Sequence, residues 1–263
     1  MIVDCHIHLR TNGGGRSYDP AEAERCLRLA DRAGIERMVY LFDLGAAPSP
    51  DPSPEEIRRS NDIGLELIAR HPDRFAAFCY LNPAHDPAFS LAELDRCLAA
   101  GCSGIKLWIA VHADDDRLDP IMVRAAAERL PVLHHAWYKA TEFVYNESTP
   151  AEIAMLARKH PDVAIIMAHL GGGGQRGVID VADCPNVVVD TSGAQPQAGL
   201  VEFAVERLGP DRVVFGSDWP IRDFAVQRAK VDGAGIDGKT RAAILGGTMG
   251  RLLARHRGTE VLA

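Results

Sequence analysis

Ile2 to His8 reads IVDCHIH, an apolar run of strand length that ends on two histidines spaced two apart. Successive side chains of a strand point to opposite faces, so His6 and His8 share a side and their imidazoles converge on one place. On its own the pair equally describes two hydrogen-bonded, partly buried histidines. Its meaning depends on what the rest of the chain brings to the same place.

Seven further apolar runs follow: RMVYLFD at Arg37 to Asp43, FAAFCYL at Phe75 to Leu81, SGIKLWI at Ser103 to Ile109, PVLHHA at Pro131 to Ala136, VAIIMAH at Val163 to His169, VVVD at Val187 to Asp190 and RVVFGSD at Arg212 to Asp218. Between them lie amphipathic stretches, roughly Pro20 to Ala33, Pro54 to Arg70, Ser90 to Ala100, Asp119 to Arg129, Pro150 to Lys159, Gln197 to Leu208 and Ile221 to Ala229. Several open on a cap and an early proline, as in SPEE at Ser53 to Glu56 and STPAE at Ser148 to Glu152. Strands apolar on both faces, each followed by a helix, are what a parallel sheet covered on its outside requires. Eight such units close more naturally into a (β/α)8 TIM barrel than into an open sheet. The least regular unit is Leu170 to Cys184, where GGGG at Gly171 to Gly174 precedes a short helical segment expected near Arg176 to Ala182. The expected organisation is one barrel domain over residues 1–263, with a helical tail at about 237–256 over the barrel end.

Composition narrows the function classes. The 263 residues are 47% hydrophobic and 25% charged, which excludes disordered and fibrous classes. The formal charge is −7 and no Lys/Arg run exceeds two residues, so a nucleic-acid footprint is lacking. No window approaches eighteen uninterrupted apolar residues and MIVDCHIHLR lacks a basic n-region and a long apolar stretch, so neither a signal peptide nor a membrane partner is expected. The six cysteines form no CxxC pair and read as small buried hydrophobes in a reducing compartment; the cytoplasm is the expected location.

In a (β/α)8 barrel the carboxyl ends of all strands meet at one mouth. His6 and His8 therefore join His135, which closes the fifth run, His169, which closes the sixth, and Asp218, which closes the eighth. Three imidazoles and one carboxylate, His6, His8, His135 and Asp218, suit one divalent ion, with zinc the first choice and room left for water or a substrate oxygen. Such an ion lowers the pKa of its water and polarises a carbonyl, and Asp218 is placed to accept the water's proton. His169 is either a fourth imidazole ligand or a neighbouring catalytic group that bonds the water or a developing oxyanion, and the second role is favoured here. His134 must face the other way and reads as a buried histidine.

Lys106, in the fourth run, has three readings: a carbamylated bridge between two metals, an ammonium for a substrate carboxylate, or a lysine that snorkels to solvent. Substrate binding is the one carried forward. Trp108, Trp137, Tyr138, Trp219 and Arg222 fall just beyond strand ends and are candidate pocket residues, although aromatics there serve as often to pack a loop. Arg10 and Arg176 are further candidate carboxylate clamps. The glycine run after His169 lacks the GxxxxGK[ST] pattern, so it reads as a sharp backbone turn beside the pocket rather than a phosphate loop. The glycine-rich Thr11 to Tyr18 segment reads as either a small lid or a plain loop.

Taken together, DCHIH, LHHAW, MAHLGG and FGSDWP resemble the signature of the amidohydrolase superfamily, over almost the whole chain from Val3 to about Met249. They are most similar to the amidohydrolase-related branch, which holds lactone hydrolases and the decarboxylases resembling aminocarboxymuconate semialdehyde decarboxylase. The resemblance implies a distorted TIM barrel with one ion held by His6, His8, His135 and Asp218, and His169 beside the metal-bound water. The GIKLW setting of Lys106 is similar to the single-metal branch. Related decarboxylases tend to be longer, so this compact chain is expected to be a metal-dependent hydrolase of a small carboxylated lactone, cyclic ester or amide, with nonoxidative decarboxylation of an unsaturated or aromatic acid as the alternative. Its substrate is expected to be a small anionic molecule. A homodimer is common among similar proteins.

Overall fold

Strand β1 (Val3–Leu9) pairs in parallel with β2 (Arg37–Asp43), and β2 with β3 (Phe75–Ala77). A second parallel series runs β4 (Cys79–Leu81), β5 (Ile105–Leu107), β6 (Val132–His134), β7 (Ile165–Met167), β8 (Val187–Asp190) and β9 (Val213–Val214). The computed structural model describes residues 1–11, 18–45, 47–139, 145–193 and 196–256, so the central residues of the expected Thr11 to Tyr18 lid lie outside the described residues. β3 and β4 are the single expected third run interrupted at Phe78, whose N–H still donates to Tyr40 O at 3.0 Å. The two series close on each other where Cys5 N–H donates to Phe215 O at 2.9 Å and Ile7 bridges Trp219. The result is a TIM-barrel-like fold of eight staves.

Alternate residues of the staves fill the inside. Val39, Ala76, Leu133, Ile166, Val188 and Val214 meet Val3 and Cys5 in one apolar cluster. Strict alternation from Val3 and Cys5 would turn His6 and His8 outward. A β-bulge prevents this: Asp4 lies opposite Met38 but Ile7 opposite Tyr40, so three steps on β1 match two on β2. The extra residue resets the pleat and aims both histidines inward. Asp4 holds the bulge, its Oδ1 accepting from the N–H groups of His6 and Ser217, each at 3.0 Å.

Helices cover the outside: α1 (Pro20–Arg32), α2 (Pro54–Arg70), α3 (Pro87–Ala99), α4 (Asp119–Ala127), α5 (Pro150–Lys159), α6 (Leu170–Asp180), α7 (Leu200–Leu208) and α8 (Phe224–Asp232). Full capping boxes start α2 (Ser53 with Glu56) and α5 (Thr149 with Glu152), satisfying backbone N–H groups that the first turn leaves open. α6 departs from expectation by starting immediately after His169 and running through the glycines. The reason is packing. A Cβ on Gly172 would sit 2.5 Å from the Trp137 ring, and one on Gly177 3.0 Å from Pro150, while Gly174 bends the helix at φ 61°. α8 starts at Phe224 rather than Ile221 because Asp223 caps it.

After α8 come α9 (Gly238–Ala242), a π-helical turn (Ala243–Gly247) and α10 (Thr248–His256). Met249, Leu252 and Leu253 join the Val3 and Val214 end of the interior cluster. This segment therefore plugs the amino-terminal mouth and leaves the carboxyl-terminal mouth to the site.

Candidate active site

His6 and His8 stand at the carboxyl-terminal mouth with Nε2 atoms 3.2 Å apart, and each Nε2 is 3.5 Å from Asp218 Oδ1. Asp218 reaches them because its backbone is held at φ 63° by its own N–H, which donates to His6 O at 2.8 Å. His169, at φ 70°, is held in the same left-handed region by Asp190 Oδ1, which accepts its N–H at 3.1 Å. Such backbone costs roughly 1–3 kcal/mol per non-glycine residue and persists where surrounding contacts over-determine it. Ligand atoms of His6, His169 and Asp218 lie within 4.8 Å of one another. His135 Nδ1 is 3.0 Å from His169 Nε2.

The protons of these imidazoles can be counted. His8 Nδ1 lies 3.0 Å from Phe42 O, and His6 Nδ1 lies 2.8 Å from Asp190 Oδ2; both oxygens only accept, so both Nδ1 atoms donate. His135 Nε2 likewise donates to Glu147 Oε1 at 2.7 Å. Ser192 Oγ spends its one proton on Asp190 Oδ1 and so accepts from His169 Nδ1 at 2.9 Å. With neutral rings, every nitrogen turned inward is then a bare lone pair: Nε2 of His6, His8 and His169, and Nδ1 of His135. Burial disfavours filling the gaps with protons, since desolvation pushes His6 and His169 well below the ordinary histidine range and lowers His135 as well. Four lone pairs and a carboxylate facing one another over 3.0 to 3.5 Å repel unless a cation lies among them. Nitrogen donors with one carboxylate and oriented outer hydrogen bonds suit a divalent metal. His6, His169 and Asp218 thus form a divalent-metal-binding site, with His8 and His135 against it.

The sequence reading put His6, His8, His135 and Asp218 among the ligands, with His169 as a fourth imidazole or a neighbouring group. The structure gathers His169 with His6 and Asp218 and sets His135 Nδ1 against His169 Nε2 at 3.0 Å, while Glu147 takes the other nitrogen of His135. His134 is buried with Nδ1 2.8 Å from His135 O.

A cavity of about 350 Å³ opens above these groups. Lys106, Trp108, Trp137 and Arg222 line it, as do Phe42 and Lys139, which sequence reasoning did not single out. Lys106 is 1% exposed and, among the described residues, its ammonium has no hydrogen-bond or ion-pair partner; it lies 5.8 Å from the Phe42 ring centre. Burial lowers it to about 8 against the pull of Asp190 and Asp218. A snorkelling lysine is thereby excluded. Tyr138 and Trp219 do not line the cavity: Tyr138 bonds Asp180 at 2.6 Å under Arg176, and Trp219 stacks on Phe224 at 5.3 Å. Both are packing aromatics, the alternative their strand-end positions left open. Arg10 and Arg176 are exposed and also lie outside the lining.

Asp190, Ser192 and Glu147 went unnoticed in the sequence. Asp190 was findable, because VVVD closes a stave as His135 and Asp218 close theirs. Glu147 was not, since it sits in a loop twelve residues after its partner.

A family model described as amidohydrolase matches residues 3–255. The chain belongs to the amidohydrolase superfamily. Within it the match is to the amidohydrolase-related branch. The chain is 26% identical over 284 residues to gamma-resorcylate decarboxylase of Rhodococcus jostii, covering 83% of this chain and 85% of that protein. Its structure is similar to 5-carboxyvanillate decarboxylase from Sphingomonas paucimobilis, with TM-score 0.75 and 16% identity over 96% and 98% of the two chains. It is also similar to a dihydroxybenzoic acid decarboxylase from Polaromonas sp. JS666 with bound manganese and the inhibitor 2-nitroresorcinol, with TM-score 0.74 and 21% identity over 96% of each chain. These relatives overturn the expected metal-dependent hydrolase of a lactone, cyclic ester or amide. Compactness was the wrong discriminator, because this amidohydrolase-related chain spans most of a decarboxylase's length while keeping the barrel and donors that both chemistries share. The water-activating role given to Asp218 falls with it. Among the described residues no helix is long and apolar enough to cross a membrane.

Proposed function

We propose that the chain catalyses nonoxidative, metal-dependent decarboxylation of a small hydroxylated aromatic carboxylic acid. The observation that carries this reading is Lys106, a buried ammonium without an ion-pair partner among the described residues, facing an aromatic-walled cavity that also holds the metal donors. The resemblance over most of the chain to gamma-resorcylate decarboxylase supports it.

In this reading the substrate ring lies among Phe42, Trp108 and Trp137, and Lys106 pairs with an anionic oxygen of the substrate. A divalent ion, zinc or manganese, held by these donors would supply positive charge to the anionic substrate. The ring carbon that bears the carboxylate takes a proton, using a ring π pair made available by the neighbouring hydroxyl. The carbon–carboxylate bond then breaks, its electron pair returns to the ring, and carbon dioxide leaves with no change of oxidation state at the protein. Asp218 is the proposed proton carrier, its carboxylate taking the proton of the neighbouring hydroxyl and delivering it to the ring carbon, with solvent restoring the hydroxyl proton in the product: Oδ1 is turned to His6 and His8, while Oδ2 takes no hydrogen bond among the described residues. His169 is the second catalytic group, fixing the other wall. His6, His8, His135 and Asp218 remain the proposed ligands, together with His169. Arg222, exposed at the rim, attracts the anion. The cytoplasm is the proposed location, in keeping with six buried, unpaired cysteines, and a homodimer belongs to the same proposal.

The test is carbon dioxide release from a panel of mono- and dihydroxybenzoates by the zinc- or manganese-loaded protein in deuterium oxide. Deuterium at the carbon that lost the carboxylate, absent with Asp218→Asn, is the expected result. No release across the panel from folded, metal-loaded protein overturns the reading.

A further inference from the structure

The outward nitrogen of His6 is Nδ1, that of His8 is Nδ1 and that of His169 is Nδ1, but that of His135 is Nε2. The inversion follows from the partner that His135 Nε2 has among the described residues. Glu147 is 3% exposed, and its Oε1 lies 2.7 Å from His135 Nε2 while its Oε2 lies 3.0 Å from Lys139 Nζ.

We propose that Glu147 is a positioning residue that locks His135 as the Nε2–H tautomer and thereby makes Nδ1 the atom His135 offers to the divalent ion. The carboxylate is well placed for this task. The backbone beside it is tied down on its C-terminal side: Ser148 O accepts from Trp137 N–H at 2.9 Å, Ser148 Oγ accepts from Ala113 N–H at 3.0 Å, and Thr149 caps α5. Lys139 occupies the second oxygen and rests 5.9 Å over the Trp137 ring, so the carboxylate cannot swing from the imidazole without breaking an ion pair. The His135 ring itself stacks on Trp137, centroids 6.4 Å apart and 18° between planes, which restrains a ring flip that would exchange the two nitrogens. The inference rests on the metal site and not on decarboxylation, so its test needs no turnover.

The experiment is two-bond proton–nitrogen correlation spectroscopy of protein labelled with nitrogen-15 histidine, before and after zinc, with the His135 signals assigned by their loss in His135→Asn. The wild-type metal-free protein should show His135 protonated at Nε2, and zinc should shift Nδ1. Glu147→Ala should populate both tautomers and weaken zinc binding, read by competition with a chromophoric chelator, by about 10- to 100-fold. Glu147→Gln keeps an accepting oxygen and should restore the Nε2–H form and most of the affinity. Lys139→Ala should leave the tautomer unchanged. An Nδ1–H signal for His135 in the wild-type protein, a zinc-induced shift at Nε2, or unchanged zinc affinity in folded Glu147→Ala would overturn the proposal. If Glu147→Ala does not fold, the wild-type and Glu147→Gln spectra decide it.

Discussion

Asp190 Oδ2 lies 2.8 Å from His6 Nδ1, joining residues 184 apart in sequence. The same carboxylate's Oδ1 accepts from the N–H groups of His169 and Ser192 and from Ser192 Oγ, which in turn receives His169 Nδ1. One fully buried carboxylate on β8 therefore fixes the tautomer and orientation of two imidazoles of the metal site.

Asp190→Asn should weaken divalent-metal affinity by about 10- to 100-fold, because an amide nitrogen must face one of the donors the carboxylate now accepts. Metal content after equilibration with a graded chelator checks this. Full occupancy at wild-type chelator concentrations would show that His6 and His169 need no such anchor.

Chelation should abolish carbon dioxide release while leaving the far-ultraviolet circular dichroism of the barrel intact, since the interior cluster does not include the metal donors. Adding back zinc or manganese at 100 times Kd should stabilise the fold by about 2.7 kcal/mol. Thermal melts with and without the ion measure it, and an unchanged melting temperature contradicts binding to the native donors.

Lys106→Met should lower kcat/KM by about 10- to 100-fold, the contribution of a charged hydrogen bond. Burial holds the ammonium at about 8, below the usual lysine range. Only the protonated form pairs with an anionic substrate, so apparent substrate affinity should be full below that pH and fall as pH rises through it. A KM profile from pH 6.5 to 9.5 tests the sign, and Lys106→Met should lack that limb.

Gly172→Ala should destabilise the protein by about 1–3 kcal/mol, the usual cost of forcing a methyl into a filled space. The new Cβ would meet the Trp137 ring at 2.5 Å and push it towards the cavity. KM should rise along with the loss of stability in urea. The same change at Gly238, where nothing lies within 4 Å, is the control.

Much of the architecture was legible because it is written in local pattern. Apolar runs alternating with capped amphipathic helices specify parallel staves, and β2 occupies Arg37–Asp43 as expected. The DCHIH, MAHLGG and FGSDWP motifs carried His6, His8, His169 and Asp218 because stave ends must meet at one mouth. Reaction type was not legible. The same donors serve hydrolysis and decarboxylation, and chain length does not discriminate between them.

The sequence by itself determined which residues could arrive at the mouth, because strand periodicity and the order of strand and helix are properties of neighbours along the chain. Only the tertiary structure decided how they arrive. The bulge at Asp4 aims His6 and His8 inward, Asp190 binds His6 and His169 from another stave, Glu147 turns His135 to present its other nitrogen, and Tyr138 and Trp219 turn from the cavity to partners of their own. Each of these depends on a hydrogen bond or ring contact between residues distant in sequence or placed by a loop, and such contacts have no periodic signature.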